Sequence, residues 1–124
     1  MTLRRNGSSV VAFQKHIFIF GGNEQDVGSL DTIEKYTIEL DKWQICRLRL
    51  KDPLHDTLSF NLGGNRVLIF GGNSNSLINT TFDVYDLTCE TLLNIEPVET
   101  GKCYMPPVLD HTSGYLHYYV GYGD

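Results

Sequence analysis

The most constraining feature of the sequence is an apolar run that ends in two glycines and recurs 50 residues later. The first copy is Ile17–Asn23 and the second is Val67–Asn73, while a partial third copy keeps only its first glycine, Gly121. Apolar runs this short are typical of strands that are covered on both faces. Repetition at a period of about 50 residues is typical of architectures built from stacked repeats. The sequence therefore predicts a series of similar sheets.

Each glycine doublet removes two side chains at the end of a strand. Such a doublet suits a place where the backbone must turn or lie close against a neighbouring segment. A single doublet would fit an ordinary turn equally well. The fixed spacing of Gly21-Gly22 and Gly71-Gly72 is what favours a repeated structural role.

Within the first repeat, β-branched and aromatic runs alternate with turn residues and predict four strands. We expect these strands at Ser8–Phe13, Ile17–Phe20, Thr32–Ile38 and Trp43–Leu50, with a polar loop over Asn23–Leu30 and a charged turn at Glu39–Lys42. In the fourth strand, apolar residues alternate with Arg47 and Arg49, which predicts one solvated face and an edge position in the sheet.

The second repeat follows the same order and a third repeat begins before the chain ends. We expect strands at Asp56–Leu62, Val67–Phe70, Phe82–Leu87 and Thr91–Ile95, a turn at Gly63–Asn65 and a polar loop over Asn73–Asn79. Connectors are predicted at Lys51–His55 and Glu96–Pro107, and two strands of a third unit at Leu109–Ser113 and Leu116–Val120.

These marks together resemble the kelch repeat, the unit of one class of β-propeller. In that pattern a tyrosine ends the third strand and a tryptophan follows seven residues later, as Tyr36 and Trp43 do here. In the second repeat Leu92 stands seven residues after Tyr85, where the pattern has tryptophan. The motif residues are Gly21, Gly22, Tyr36, Trp43, Gly71, Gly72, Tyr85 and Gly121.

The resemblance implies an all-β fold, a partial kelch-type β-propeller of four-stranded antiparallel blades. Residues 1–124 form one kelch-repeat region, with residues 8–50 as the first blade, 56–95 as the second and 109–121 as half of a third. Propellers close with about 4–8 blades, so these two and a half blades are expected to belong to a larger propeller or to associate through their open faces. We further expect the Tyr36–Trp43 pair to be the main buried anchor of its blade, since each such ring buries roughly 150–250 Å².

Binding sites are commonly found on long loops that a rigid scaffold holds in place. The resemblance implies that residues just after each glycine doublet contact a partner peptide, namely Asn23, Glu24, Asn73 and Ser74. An asparagine at these positions would also suit a plain turn. We therefore expect a non-enzymatic protein-interaction module that presents its strand 2–3 loops and inter-blade connectors. The alternatives are a fragment of a propeller enzyme and a self-assembling structural unit.

Other classes of function have little support in the sequence. No nucleotide-binding or catalytic fingerprint is present, and the histidines lack metal-ligand spacing, so we expect no cofactor and no metal. The net charge of −5 disfavours nucleic-acid binding. No apolar run is long enough to cross a membrane. The three cysteines do not form a C-x-x-C pair, and a cytoplasmic location is expected.

Overall fold

The chain is described here by a computed structural model, which covers residues 1–75, 77–79 and 81–93 and the backbone of residues 108–109 and 116–117. Its strands, in chain order, are β1 (Ser9–Phe13), β2 (His16–Phe20), β3 (Asn23–Glu24), β4 (Gly28–Ser29), β5 (Thr32–Thr37), β6 (Lys42–Arg49), β7 (Leu58–Gly63), β8 (Arg66–Phe70), β9 (Asn73–Ser74), β10 (Leu77–Ile78), β11 (Phe82–Asp86), β12 (Thr91–Leu93), β13 (Val108–Leu109) and β14 (Leu116–His117).

Two four-stranded antiparallel sheets dominate the described part of the chain. The first sheet has the order β1-β2-β5-β6 and the second sheet has the order β7-β8-β11-β12. In both, neighbours in the sheet follow one another in the chain, apart from the small hairpin that follows the glycine doublet. The predicted all-β fold with four-stranded blades is confirmed.

The third predicted unit is described only in part. The short strands β13 and β14 form an antiparallel pair. The rest of the predicted strands Leu109–Ser113 and Leu116–Val120, the motif residue Gly121 and the connector Glu96–Pro107 lie outside the described residues, as does the end of the predicted strand Thr91–Ile95.

The main core lies between the two sheets. One face of the first sheet supplies apolar side chains such as Phe18, Phe20 and Ile33, and the facing side of the second sheet supplies Val67 and Ile69. Alternation along each strand puts these residues on one face, because successive side chains of a strand point to opposite sides. The Thr57 hydroxyl, just before β7, also donates a hydrogen bond of 3.1 Å to the Ser9 hydroxyl of β1.

The two predicted polar loops are more ordered than expected. Each contains a small antiparallel hairpin, formed by β3 and β4 in the first repeat and by β9 and β10 in the second. The expectation of plain loops over Asn23–Leu30 and Asn73–Asn79 was wrong. Their strands are held by distant residues, since Asn23 pairs with Asn6 and Asn73 pairs with His55 in isolated bridges.

The Tyr36–Trp43 pair is not the buried anchor that the sequence predicted. The rings are direct cross-strand partners with centroids 5.0 Å apart, yet both side chains are only half-buried. They lie on the outer face of the first sheet, which also carries Val10, Ile17 and Ile45 and which points away from the second sheet. In the second sheet, Tyr85 faces the first sheet and is 1% exposed.

Tyr85 connects the second sheet to the segment that precedes it. The backbone N–H of Lys51 donates a hydrogen bond of 2.9 Å to the Tyr85 hydroxyl. Burial raises the pKa of Tyr85 to about 12, although the bond from Lys51 acts in the opposite direction. The neutral phenol is therefore favoured in the folded state, and its contribution to stability is present below pH 10 and is lost as the pH rises towards 12.

We expect Tyr85→Phe to lower the free energy of unfolding by about 1 kcal/mol at neutral pH, because the hydrogen bond from Lys51 is lost. It should also reduce the loss of stability between about pH 10 and pH 12. Urea unfolding monitored by tryptophan fluorescence measures both. Tyr36→Phe is the matched control, because its hydroxyl bonds only to the carboxylate of Asp41 at an exposed position. Equal losses in the two variants would contradict the role given to Tyr85.

Candidate functional site

The ends of the two glycine-doublet strands lie on one side of the molecule, which we call the loop face. There the connector between the sheets is hydrogen-bonded to the first repeat. The Gly22 N–H donates to the Leu54 carbonyl at 2.8 Å, and the Leu54 N–H donates to the Leu30 carbonyl at 3.0 Å. Strand ends, connector and hairpins are thus joined through their backbones, which gives the loop face a defined shape.

A cavity of about 300 Å³ opens on the loop face beside the first hairpin. Its walls are formed by the segment that precedes β1 and by the hairpin of β3 and β4. The lining residues are Arg4, Arg5, Asn6, Asn23, Glu24, Gln25 and Asp26. Asn6 and Asn23 hold the two walls together by reciprocal backbone hydrogen bonds of 3.1 and 2.7 Å. We call this cavity the first pocket.

The charged side chains of the first pocket fall into two groups. Arg4, Glu24 and Asp26 form no ion pair with another residue of the described ranges. Arg5 is already engaged, because its guanidinium lies 2.8 Å from the carboxylate of Glu34 and both side chains are fully buried. The unpaired groups are therefore two carboxylates and one guanidinium.

Arg5 anchors the floor of the first pocket. Besides its ion pair with Glu34, it donates to the Gly21 carbonyl at 2.7 Å and to the Thr32 carbonyl at 3.1 Å. Burial disfavours the charged form of Glu34, but hydrogen bonds from the Thr2 hydroxyl and backbone and the charge of Arg5 hold the pKa of Glu34 below its usual value. The ion pair thus fastens the N-terminal segment to the outer face of the first sheet.

The second repeat forms a smaller cavity at the corresponding place. This second pocket has a volume of about 200 Å³ and lies between the connector and the hairpin of β9 and β10. It is lined by Asp52, Leu54, Ser74, Leu77, Ile78 and Asn79. Leu77 and Ile78 are 74% and 51% exposed, so the second pocket has an apolar rim.

The two hairpins are tied directly to one another. The Ser29 N–H donates to the side-chain oxygen of Asn75 at 3.2 Å, and the Asn75 N–H donates to the Ser29 hydroxyl at 3.2 Å. The Ser29 hydroxyl also lies 2.8 Å from His55 Nδ1. We call this set of contacts the Ser29–Asn75 clamp. It fixes the relative position of the two pockets.

The predicted binding residues are distributed over both pockets. Asn23 and Glu24 line the first pocket and Ser74 lines the second, whereas Asn73 lines neither and pairs with His55 through its backbone. Sequence reasoning missed Arg4, Asn6, Gln25 and Asp26 and the apolar rim. The adjacent apolar residues Leu77 and Ile78 inside an otherwise polar loop were the available signal for that rim.

Metal-binding clusters and membrane-spanning helices are absent from the described ranges. No group of three or more histidine, cysteine, aspartate or glutamate side chains there could hold a metal ion. The same ranges contain no helix of the length and apolar character needed to cross a membrane.

The architecture by itself defines a class of protein. Four-stranded meander sheets packed face to face, with loops gathered on one side, are the blades of a β-propeller. Comparison with known proteins specifies the type. Residues 4–47 match the family model of the kelch motif.

The structure comparison agrees with this type. In solved structures 87 chains match the fold. One is the structure of YjhT, a kelch β-propeller, with a TM-score of 0.66 and 10% sequence identity over 80% of this chain. At that identity the likeness shows the fold alone. The match covers 40% of the YjhT chain. A search of curated proteins found no match. The chain thus carries a kelch motif and has the fold of part of a kelch-type propeller, as predicted.

Proposed function

We propose that this protein is a protein-interaction module that binds a partner segment at the first pocket of the loop face. The observation that carries the proposal is the first pocket itself. Residues of the predicted binding set, Asn23 and Glu24, line a cavity in which Arg4, Glu24 and Asp26 form no ion pair within the described residues. An amide and a carboxylate in such a cavity offer hydrogen bonds to the backbone and side chains of a peptide.

The rigidity of the walls supports this proposal. The backbone bridge between Asn6 and Asn23 and the ion pair of Arg5 with Glu34 fix the pocket without a ligand. A preformed site avoids the cost of ordering loops when a partner binds. Loops that a sheet scaffold holds in this way are a common location for binding residues.

The test is to select binders from a random peptide library displayed on phage and to titrate the selected peptides against the purified chain. We expect Asn23→Ala and Glu24→Ala to weaken the selected peptides by about tenfold each, the loss expected when a central interface residue is truncated. Lys42→Ala is the control, because Lys42 is exposed at the opposite end of the first sheet. A library that yields no binders, or binders insensitive to Asn23 and Glu24, would contradict the proposal.

Self-association through open sheet faces stays a prediction. The outer face of the first sheet favours it, because Val10 and Ile45 are 56% and 40% exposed there beside the half-buried Tyr36–Trp43 pair. Light scattering over a concentration series tests it, and a constant mass of 14.0 kDa would contradict it.

A further inference from the structure

We propose that the partner is an extended peptide segment with one basic and one aliphatic side chain, the basic one bound at the first pocket and the aliphatic one at the second. This inference rests on the proposed function and adds the chemistry and spacing of the ligand. It is carried by the two unpaired carboxylates of the first pocket, by the exposed apolar side chains of the second pocket, which has the single carboxylate of Asp52, and by the clamp that joins the two pockets.

The apolar end of this surface is the rim of the second pocket. Leu77 is the most exposed of the large apolar side chains in the described ranges, at 74%, and Ile78 follows it directly at 51%. Isolated exposed aliphatic residues are normal on protein surfaces. Here the two adjacent side chains border a cavity that also contains the buried Leu54. An aliphatic side chain seated there would cover apolar surface that is now in contact with water.

The charged end of the surface is the first pocket. Its unpaired carboxylates, Glu24 and Asp26, outnumber its unpaired cation, Arg4, since Arg5 is neutralised by Glu34. The whole chain is also acidic, with a net charge of −5. A lysine or arginine side chain is complementary to this charge, whereas a phosphate or an acidic peptide is not.

The spacing of the two side chains follows from the sheets that carry the pockets. Sheets packed face to face lie about 10 Å apart, and an extended chain advances about 3.3 Å per residue, so the pockets are about three residues apart. Only every second side chain of an extended chain points to the same side, so the two side chains should be about two or about four residues apart. The Ser29–Asn75 clamp holds the hairpins at a fixed separation through two hydrogen bonds of 3.2 Å. The surface should therefore discriminate between spacings.

The test uses labelled synthetic peptides in a glycine-serine background, each with one lysine and one leucine, and measures their affinity for the purified chain by fluorescence anisotropy. The separation of the two residues is varied from one to six positions. Peptides with glutamate in place of lysine, or serine in place of leucine, serve as matched probes. We expect the tightest binding at a separation of two or four and weaker binding at odd separations, with affinity about tenfold weaker for either replacement.

Variants of the protein assign each peptide residue to its pocket. The double variant Leu77→Ser with Ile78→Ser should weaken the lysine-leucine peptide about tenfold and leave the lysine-serine peptide unchanged. The double variant Glu24→Gln with Asp26→Asn should weaken peptides that contain lysine and reduce the salt dependence of their binding. Leu40→Ser and Glu90→Gln are controls, because both side chains are exposed at the opposite ends of their sheets and should have no effect.

The outcomes separate this inference from the proposed function. Equal binding of the glutamate and lysine peptides, no dependence on separation, or equal losses in the control variants would overturn the inference. If library-selected peptides still require Asn23 and Glu24 in that case, the proposed function stands. If neither the library nor the designed peptides bind, both are overturned.

Discussion

Replacing Arg5 by alanine is expected to lower the free energy of unfolding by about 3–5 kcal/mol, because it leaves the carboxylate of Glu34 buried without its counter-charge. The ion pair is 2.8 Å long and neither side chain is exposed. The variant also loses the bonds that Arg5 donates to the carbonyls of Gly21 and Thr32. Urea denaturation of the wild-type and variant chains measures the difference.

The control for this experiment is a second arginine of the same chain. Arg49 forms an ion pair of 3.0 Å with Asp31, but the arginine side chain is 59% exposed. Arg49→Ala should therefore lower the free energy of unfolding by less than about 1 kcal/mol. A joint replacement of Arg5 by methionine and Glu34 by leucine separates charge from shape, since exchanging a buried pair for apolar residues is often close to neutral. Equal destabilisation by Arg5→Ala and Arg49→Ala would contradict the structural role of the buried pair.

The same ion pair leads to a prediction about the stability of the protein at low pH. The pKa of Glu34 is held below its ordinary value of 4.5 in the folded protein. Its contribution to stability is therefore present above that ordinary value and is lost as the pH falls through the lowered pKa. Denaturation of the wild-type chain at successively lower pH should show this loss, and the joint replacement of Arg5 and Glu34 should remove it.

Gly21→Ala is expected to be the other severe variant and to lower the free energy of unfolding by about 3 kcal/mol or more. The added Cβ would clash with the backbone, and alanine would also have to adopt an unfavourable backbone conformation. Gly21 has a φ of +59°, and a Cβ placed there would lie 2.2 Å from the Leu54 carbonyl oxygen. That oxygen belongs to the connector and accepts the Gly22 N–H, so it is not free to move away.

Gly64→Ala is a closely matched control. Gly64 has a φ of +62°, almost the same as Gly21, but a Cβ there would meet no atom within 4 Å. This variant should lower the free energy of unfolding only by the about 1–2 kcal/mol that an alanine at positive φ costs. The difference in the denaturation midpoints of the two variants isolates the close approach of the connector. If both glycines tolerate alanine equally, the connector does not restrict Gly21 as described.

The repeated glycine doublets and the alternation of apolar residues were sufficient to predict the sheets, because both are local patterns with a direct structural cause. The contacts that shape the loop face are not local. Glu34 lies between Ile33 and Lys35 in a strand of mixed composition, and nothing near it in the sequence indicates that Arg5 neutralises it. The hairpins at Asn23 and Asn73 likewise depend on pairing with distant segments.

Tyr36 and Tyr85 show a second limit of sequence reasoning. They occupy matching positions in the two repeats, so the sequence pattern predicts the same role for both. Tyr85 is buried because another sheet lies against it, whereas Tyr36 faces outward and is half-buried. Burial in a repeat protein therefore depends on the neighbouring unit as much as on the residue itself. Ser74 and Asn73, adjacent in the predicted binding set, also differ, since of these two only Ser74 lines the second pocket.

The hydrogen bond from Lys51 to Tyr85 and the ion pair of Arg5 with Glu34 have a common implication for how the molecule divides. In each case the residue that completes a sheet precedes the first strand of that sheet. The set of residues that completes each sheet is therefore offset from the unit of sequence repetition. Grafting the second repeat into another scaffold from Leu58 onward would transfer its strands. It would leave behind the Lys51 N–H that donates a hydrogen bond to the Tyr85 hydroxyl. A functional cassette should begin before Lys51.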